Sequence, residues 1–403
     1  MGENGGNMSV TEELQGSGNW SLTLAYPPQT PYNILRDGLF ETLYIVWGPV
    51  PTKPTLANLK RISEYAGVVL GGIHDTDSNT LTLHGASLAW WLGDVAKRGP
   101  TLGEDFTVED EENPSDILAD IWELADQNPG LILGDVTDPD EDSPNAVWQG
   151  TFSGKTTLRQ VLDQLATDCH CSWRVNVDGT IDFGPAADLY NVSNPTIINI
   201  HPFIPLRLVT RTNGEHLLNK LWLETELAEV EAFVASIVIG YEGADYGQSG
   251  IFETQGPSDE TSLTESTKAL LNGRTTPDDS ATITYDVYHR AQEIVQIGDS
   301  IDIYDRDALW KNTVKRETIL GNLPMKRRVV NAKNWTFDRN MSFYIVYYDS
   351  SGNHYIEDLT PWAMVNQTYP TITFMAGDDI DTIYNQIAGS ARITTPDVDN
   401  IAA

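Results

Sequence analysis

The sequence predicts a mainly β fold interrupted by a small α+β unit with two helices. Three observations predict it. Trp (11) and Tyr (16) are abundant, and Gly and Pro are frequent, a composition suited to pleated, half-buried surfaces and tight turns. Apolar and polar residues alternate with period 2 in 282–288, 297–304 closes that pattern, and 341–348 reads as a further strand. Between Thr157 and Phe183 the hydrophobic period changes from 3.6 to 2, so a helix is followed directly by strands.

That last stretch is the most legible. Leu158, Val161, Leu162, Leu165 and Ala166 recur at the spacing of one helix face. Thr157 with Gln160 fits a capping box. Trp173, Val175 and Val177 then alternate with polar residues, Asp178 and Gly179 mark a turn, and 180–183 return. A two-residue Asp-Gly loop would set Val175 against Asp182 and mix apolar with polar on one face. A three-residue loop sets Val175 against Ile181 and Trp173 against Phe183, so all four apolar side chains share a face. The expected turn is therefore type I, with Gly179 left-handed in a G1 bulge. The expected core of this unit is Trp173, Val175, Ile181 and Phe183 on Leu158, Leu162 and Leu165.

The remaining elements follow in chain order. Residues 1–15 read as disordered. Residues 19–24 and 43–47 read as strands. A proline-rich segment, 49–54, precedes a short helix carrying Leu56, Leu59 and Ile62 and running up to Gly67. Residues 79–85 read as a strand leading into 87–92. Glu104, Asp105 and 109–112 form an acidic boundary. Pro114 at N1 opens a helix, with Ile117, Ile121 and Leu124 on its buried face, ended by Asn128-Pro129-Gly130. Residues 135–142 read as a second acidic loop. Beyond Leu206, 219–223 and 236–239 are strand candidates, and 224–232 fits helix or strand. Residues 241–280 are rich in Gly, Ser, Thr and Pro, with a short helix at 265–271. Several strands and a Ser351-Gly352 turn follow Arg306, and 394–403 read as frayed. The domain boundaries are 1–100, 101–205 and 206–403. The last domain carries an insertion near 241–280 and a C-terminal β extension.

Composition excludes several classes. The 403 residues are 40% hydrophobic and 21% charged, enough for packed cores. No run of 18 apolar residues marks a membrane segment, and the polar N-terminus lacks a signal-peptide pattern. Gly6 rather than Ser or Thr at the sixth place argues against myristoylation. Fifty-eight acidic against 25 basic residues give a net charge of −33, which repels nucleic acid and anionic membranes; a halophilic host also produces such a composition. Cys169 and Cys171 are too close for a disulfide, and free thiols fit a reducing cytoplasm.

The chemical motifs are incomplete. Residues 150–157 have three residues between glycines where a phosphate-binding loop needs four. Asp75, Asp77 and Asn79 begin like a calcium loop, but Thr80 and Ala86 replace its Gly and Glu. Cys169-His170-Cys171 lacks zinc spacing and a fourth ligand. No G-x-S-x-G or H-E-x-x-H motif occurs. The sequence thus predicts no catalytic, cofactor-binding or metal site. Lys315, Arg316, Lys326, Arg327, Arg328, Lys333 and Arg339 cluster in a chain poor in basic residues. They read either as outward strand residues or as a contact for an acidic neighbour.

Four segments carry a resemblance. They are Gly18-Asn-Trp20-Ser-Leu-Thr-Leu24, the closing strand at 79–85, the W-x-V-x-x-D-G-T-I-x-F unit from Trp173 to Phe183, and Gly298-Asp299-Ser-Ile301-Asp-Ile303-Tyr304. Together they resemble the tail-hub proteins of tailed bacteriophages. The proline-rich 49–54 departs from the family pattern, which turns back at once to a glycine-led strand. The resemblance implies two β-barrel domains of tail-hub type around the α+β domain. It implies a non-enzymatic minor tail protein at a siphovirus tail tip, a homotrimer whose six barrels join the sixfold tube to threefold tip proteins. The implied partners are the distal tail protein, the tape-measure protein and other tip proteins. DNA passes through without specific binding, along a lumen expected to be acidic. The implied location is the virion tail tip, after assembly in the host cytoplasm. Two other classes stay open. A cell-wall hydrolase predicts lysis lost with one carboxylate, and a carbohydrate-binding adhesin predicts saturable glycan binding.

Overall fold

The computed structural model describes residues 9–25, 39–48, 50, 53–93, 99–124, 131–140, 146–191, 196–198, 207–213, 220–224, 229–233, 249–253, 278–286, 295–304, 325–337, 340–348, 353–365 and 371–377. The first strands are β1 (Ser9–Glu13), β2 (Asn19–Ala25) and β3 (Thr42–Trp47), followed by helix α1 (Leu56–Ile62), then β4 (Ser63–Asp75) and β5 (Thr80–Ser87). Trp20, Leu22 and Leu24 of β2 are buried and the residues between them are not, as period 2 requires. β1 corrects the expectation of disorder across 1–15: Val10 is fully buried and pairs with Trp335, and Glu12 pairs with Lys333. Its partner strand is made far along the chain, so no local signal marks it. β4 corrects the expected helix up to Gly67. Helix α1 stops at Ile62, where Ser63 turns extended (ψ 141°).

The α+β unit contains β6 (Phe106–Glu112), α2 (Pro114–Leu124), β7 (Ile132–Val136), β8 (Trp148–Phe152), α3 (Leu158–Asp168), β9 (Cys171–Val175), β10 (Thr180–Pro185) and α4 (Ala186–Leu189). β7, β10 and β9 form one small sheet and β6 pairs with β8 in another. Two acidic runs read as loops are strands in part. β6 spans the acidic boundary, and β7 takes in Asp135 and Val136. The Asp138 carboxylate accepts from the backbone N–H and the hydroxyl of Ser115, at 2.9 and 2.6 Å. It thereby caps α2, where an anion is favoured.

The last strands are β11 (Thr196–Ile198), β12 (Arg207–Asn213), β13 (Lys220–Glu224), β14 (Glu229–Phe233), β15 (Ser249–Glu253), β16 (Asp278–Asp286), β17 (Ser300–Tyr304), β18 (Met325–Thr336), β19 (Met341–Tyr348), β20 (His354–Asp358) and β21 (Thr371–Gly377). Residues 229–233, left open between helix and strand, are strand. The expected elements at 236–239, 265–271, 351–352 and 394–403 lie outside the described residues.

A 13-stranded sheet dominates, along the path β12-β16-β21-β18-β1-β2-β5-β4-β3-β19-β20, with β11 and β17 attached at β18. Strands assigned to two separate barrels therefore share one sheet. Among the described residues that path closes no barrel. One core lies against it, in which Ile283 of β16, Trp335 of β18, Leu22 of β2 and Ile345 of β19 belong together. The α+β unit covers the opposite face at β3, β4 and β19. Leu43 and Ile45 of β3 point into the first core, whereas Tyr44 and Val46 point into the second, with Leu118, Leu162 and Trp173. Burial on both faces explains why 43–46 is a continuous apolar run rather than an alternating one.

Candidate functional site

The hairpin β9–β10 is closed by a tight turn at Asp178 and Gly179. Val175 pairs with Ile181 and Phe183 with Trp173, the register of a three-residue loop. Gly179 has φ +89°, its N–H donates to Asn176 O at 3.0 Å, and Asn176 N–H donates to Thr180 O at 2.8 Å. Asp178 Oδ1 accepts from Thr180 N–H at 3.0 Å and from its hydroxyl at 2.7 Å, which holds the turn. Trp173, Ile181, Phe183, Leu158, Leu162 and Leu165 are all buried in one core, with Val175 partly buried against it. The capping box at Thr157 and Gln160 is complete.

The outer face of the hairpin is polar and specific. Arg174 and Asp182, directly opposite, form an ion pair at 2.9 Å. Asp182 also accepts from Asp135 N–H, tying β7 to the hairpin. Burial works to raise the Asp182 pKa, but hydrogen bonds from Asn176, Arg174 and the Asp135 backbone outweigh it and the net shift is downward. Arg174 donates further to Leu189 O at 2.7 Å and lies over the Tyr190 ring.

Beside the hairpin a cleft of about 380 Å³ opens between the α+β unit and the sheet. Glu12, Glu13 and Glu64 stand along it with Arg174, and Tyr65 and Ser87 line it. Glu12 already accepts from Trp335 Nε1 and lies 3.5 Å from Lys333 Nζ. Among the described residues lining it, the Ser87 hydroxyl has no hydrogen-bond partner, so no base is paired with it.

The other candidate motifs are used structurally. In the 150–157 loop, Gly154 N–H donates to the chain's own Asp105 carboxylate at 2.7 Å, so an anion there would compete with a resident one. Asp75 folds back on Asp77 N–H and on Ser78. Cys169 and Cys171 are buried and free. Burial, then nearby Asp168, pushes the Cys169 thiol up to about 12, and Cys171 is raised likewise by burial. Burial thus favours the thiol over the thiolate at both positions. Among the described residues no group of three His, Cys, Asp or Glu is placed to hold a metal, and no helix is long and apolar enough to cross a membrane.

Two members of the basic cluster turn inward. Arg328 and Lys333 are 3% and 6% exposed. This corrects the reading of those two as outward contact residues. Their strand β18 lies inside the sheet, flanked by β21 and β1, and Lys333 meets Glu12 of the same chain. Arg327 stands opposite Asp302 in the register, and Lys326 opposite Ile303. Lys315, Arg316 and Arg339 lie outside the described residues.

No family model and no curated protein matches the sequence. Solved structures do match. A prophage tail protein, gp18, from Listeria monocytogenes is 11% identical, covering 96% of this chain and 92% of its own, with a TM-score of 0.50. A 43 kDa tail protein of prophage MuSo2 from Shewanella oneidensis is 10% identical over 93% and 94%, with a TM-score of 0.53. A tail protein from Neisseria meningitidis is 10% identical over 94% and 93%, with a TM-score of 0.51. This chain has their fold. At such identity the likeness is one of backbone course.

Proposed function

We propose that the chain is a structural protein of a bacteriophage tail, serving as the hub of the tail tip. Three copies form a ring that joins the sixfold tube to threefold tip proteins and surrounds the DNA exit channel. The single observation that carries the reading is the near full-length likeness, on both sides, to three separate tail proteins, two of them from prophages. The four tail-hub-like motifs support it from the sequence. So does the use of each motif-like stretch for local structure. The distal tail protein and the tape-measure protein are the proposed neighbours, and residues 1–100, 101–205 and 206–403 the proposed domains. The role requires no bond to be made or broken. Mass measurement of purified particles and of isolated tips tests it: a copy number in threes at the tip is expected. Absence from the particle, or any number that is not a multiple of three, overturns the hub.

A further inference from the structure

The cleft beside the hairpin has a chemistry that the tail role does not use. It lies where the ends of three sheet strands meet β9. β1 ends with Glu12 and Glu13, Tyr65 stands near the start of β4, and β5 ends at Ser87. Strand β9 supplies Arg174 and Val175 from the other side. At about 380 Å³ the cleft has far more room than one bridging water needs, and it falls in the range of small-ligand sites.

Two polar atoms of the residues lining it are unsatisfied. Tyr65 is 4% exposed, and its hydroxyl has no hydrogen-bond partner. The Ser87 hydroxyl is likewise buried without a partner. A buried hydroxyl left unpaired is costly unless a guest bonds it. Burial, and then the charge of Glu12, raises the Tyr65 phenol well above its ordinary value. The group therefore keeps its proton beside a carboxylate that lines the same cleft.

The charge of the lining selects the guest. Glu12, Glu13 and Glu64 line the cleft with one cation, Arg174, and the described lining holds no lysine or histidine. Arg174 is already held by Asp182 at 2.9 Å and by Leu189 O at 2.7 Å. Glu12 is held too, by Trp335 and Lys333. The selection thus rests on the summed negative potential and the two hydroxyls, and not on any carboxylate standing alone. An anion is repelled from such a cleft. Leu88, Val175, Val177 and Ile297 add an apolar wall. A cationic head on an aliphatic stem matches both parts.

We propose that the cleft binds an alkylammonium group, with its stem along the apolar wall and its N–H donors on the Tyr65 and Ser87 hydroxyls. The guest is a free aliphatic amine or a lysine side chain presented by another protein. Seated there, it touches the sheet and the α+β unit at once and ties them together. The site stands whether or not the chain is a tail hub.

Isothermal titration calorimetry of the full chain with pentylammonium chloride tests it, with 1-pentanol as the neutral isostere. One site with a Kd of about 1 mM or tighter is expected for the amine and none for the alcohol. Weaker binding of the amine, or equal binding of the alcohol, overturns the site; this comparison needs no variant. Tyr65→Phe and Ser87→Ala each remove one oxygen, and each should weaken the amine by about tenfold. Unchanged affinity in both overturns the proposal, because the amine is then held by charge alone. A lower melting temperature of Tyr65→Phe also overturns it, because the hydroxyl is then already paired. Acetyl-lysine methylamide names the source. Bound as tightly as pentylammonium, it identifies a lysine side chain as the guest; excluded while pentylammonium binds, it identifies a free amine.

Discussion

Trp173 serves both packing and hydrogen bonding. Its indole is 1% exposed, and its N–H donates to Asp163 at 2.9 Å. Trp173→Ala should therefore cost roughly 3–5 kcal/mol, read as a lower urea midpoint and a lower yield of folded protein. Trp173→Phe keeps most of the volume and removes only the donor, so its cost should be smaller. Gly179→Ala isolates backbone strain. An added Cβ meets nothing closer than Leu131 Cδ2 at 3.7 Å, and the left-handed φ alone costs about 1–2 kcal/mol. Gly85→Ala is different in kind. Its Cβ would lie 1.8 Å from Val68 O and 2.6 Å from Trp20 Nε1, so two paired strands must part and soluble protein should be lost. Two aspartates give opposite pH dependences. Burial raises Asp163 against the pull of Arg159 and Trp173. Its share of stability is present at low pH and is lost as pH rises through the raised value. Asp182 is lowered, so its share is present above the ordinary value, about 3.9, and is lost as pH falls below it. Melting curves of Asp182→Asn should thus lose part of the wild-type fall in stability below that pH. An unchanged acid limb would refute the role given to the Arg174 pair.

Among the elements, legibility followed locality. Helix α3, its cap and the β9–β10 hairpin were readable because the capping box, the helix face, the turn and the cross-strand register all lie within 157–183. Pro114 marked the start of α2 for the same reason. β1 was not readable, since its partner β18 is distant in sequence. β4 was hidden by two-sided burial and by Gly67, Gly71 and Gly72, which remove the period-2 signal. β6 was masked by charge: of its seven residues only Val108 is buried, so the strand looks like a solvated run. β7 is short, and Ile132 points outward at 59% exposure. The basic cluster misled in another way. Arg328 and Lys333 are buried because β18 is an interior strand, flanked by β21 and β1, which the local sequence does not show.

For the whole molecule, charge sets the behaviour. Three copies carry about −99 before counterions, three times −33. A surface of that sign offers phosphates no counterions to release, and the proposed acidic lumen would let DNA slide past. Purified protein should show no submicromolar binding of duplex DNA at physiological salt by fluorescence anisotropy. Tight binding there would count against a non-adhesive channel.

β1 also fixes the order in which the chain can be completed. Asn334 meets Thr11, and Trp335 meets Glu12, across 323 residues. On the ribosome, the strand made first must wait for one of the later strands before its outer edge is filled. Loop closure over that span costs little more than over half of it, but the wait is long, and an open edge meanwhile invites pairing with another nascent chain. Synthesis that stops before residue 325 should therefore yield insoluble product rather than a smaller folded domain. Slowing translation late in the chain should lower yield more than slowing it early.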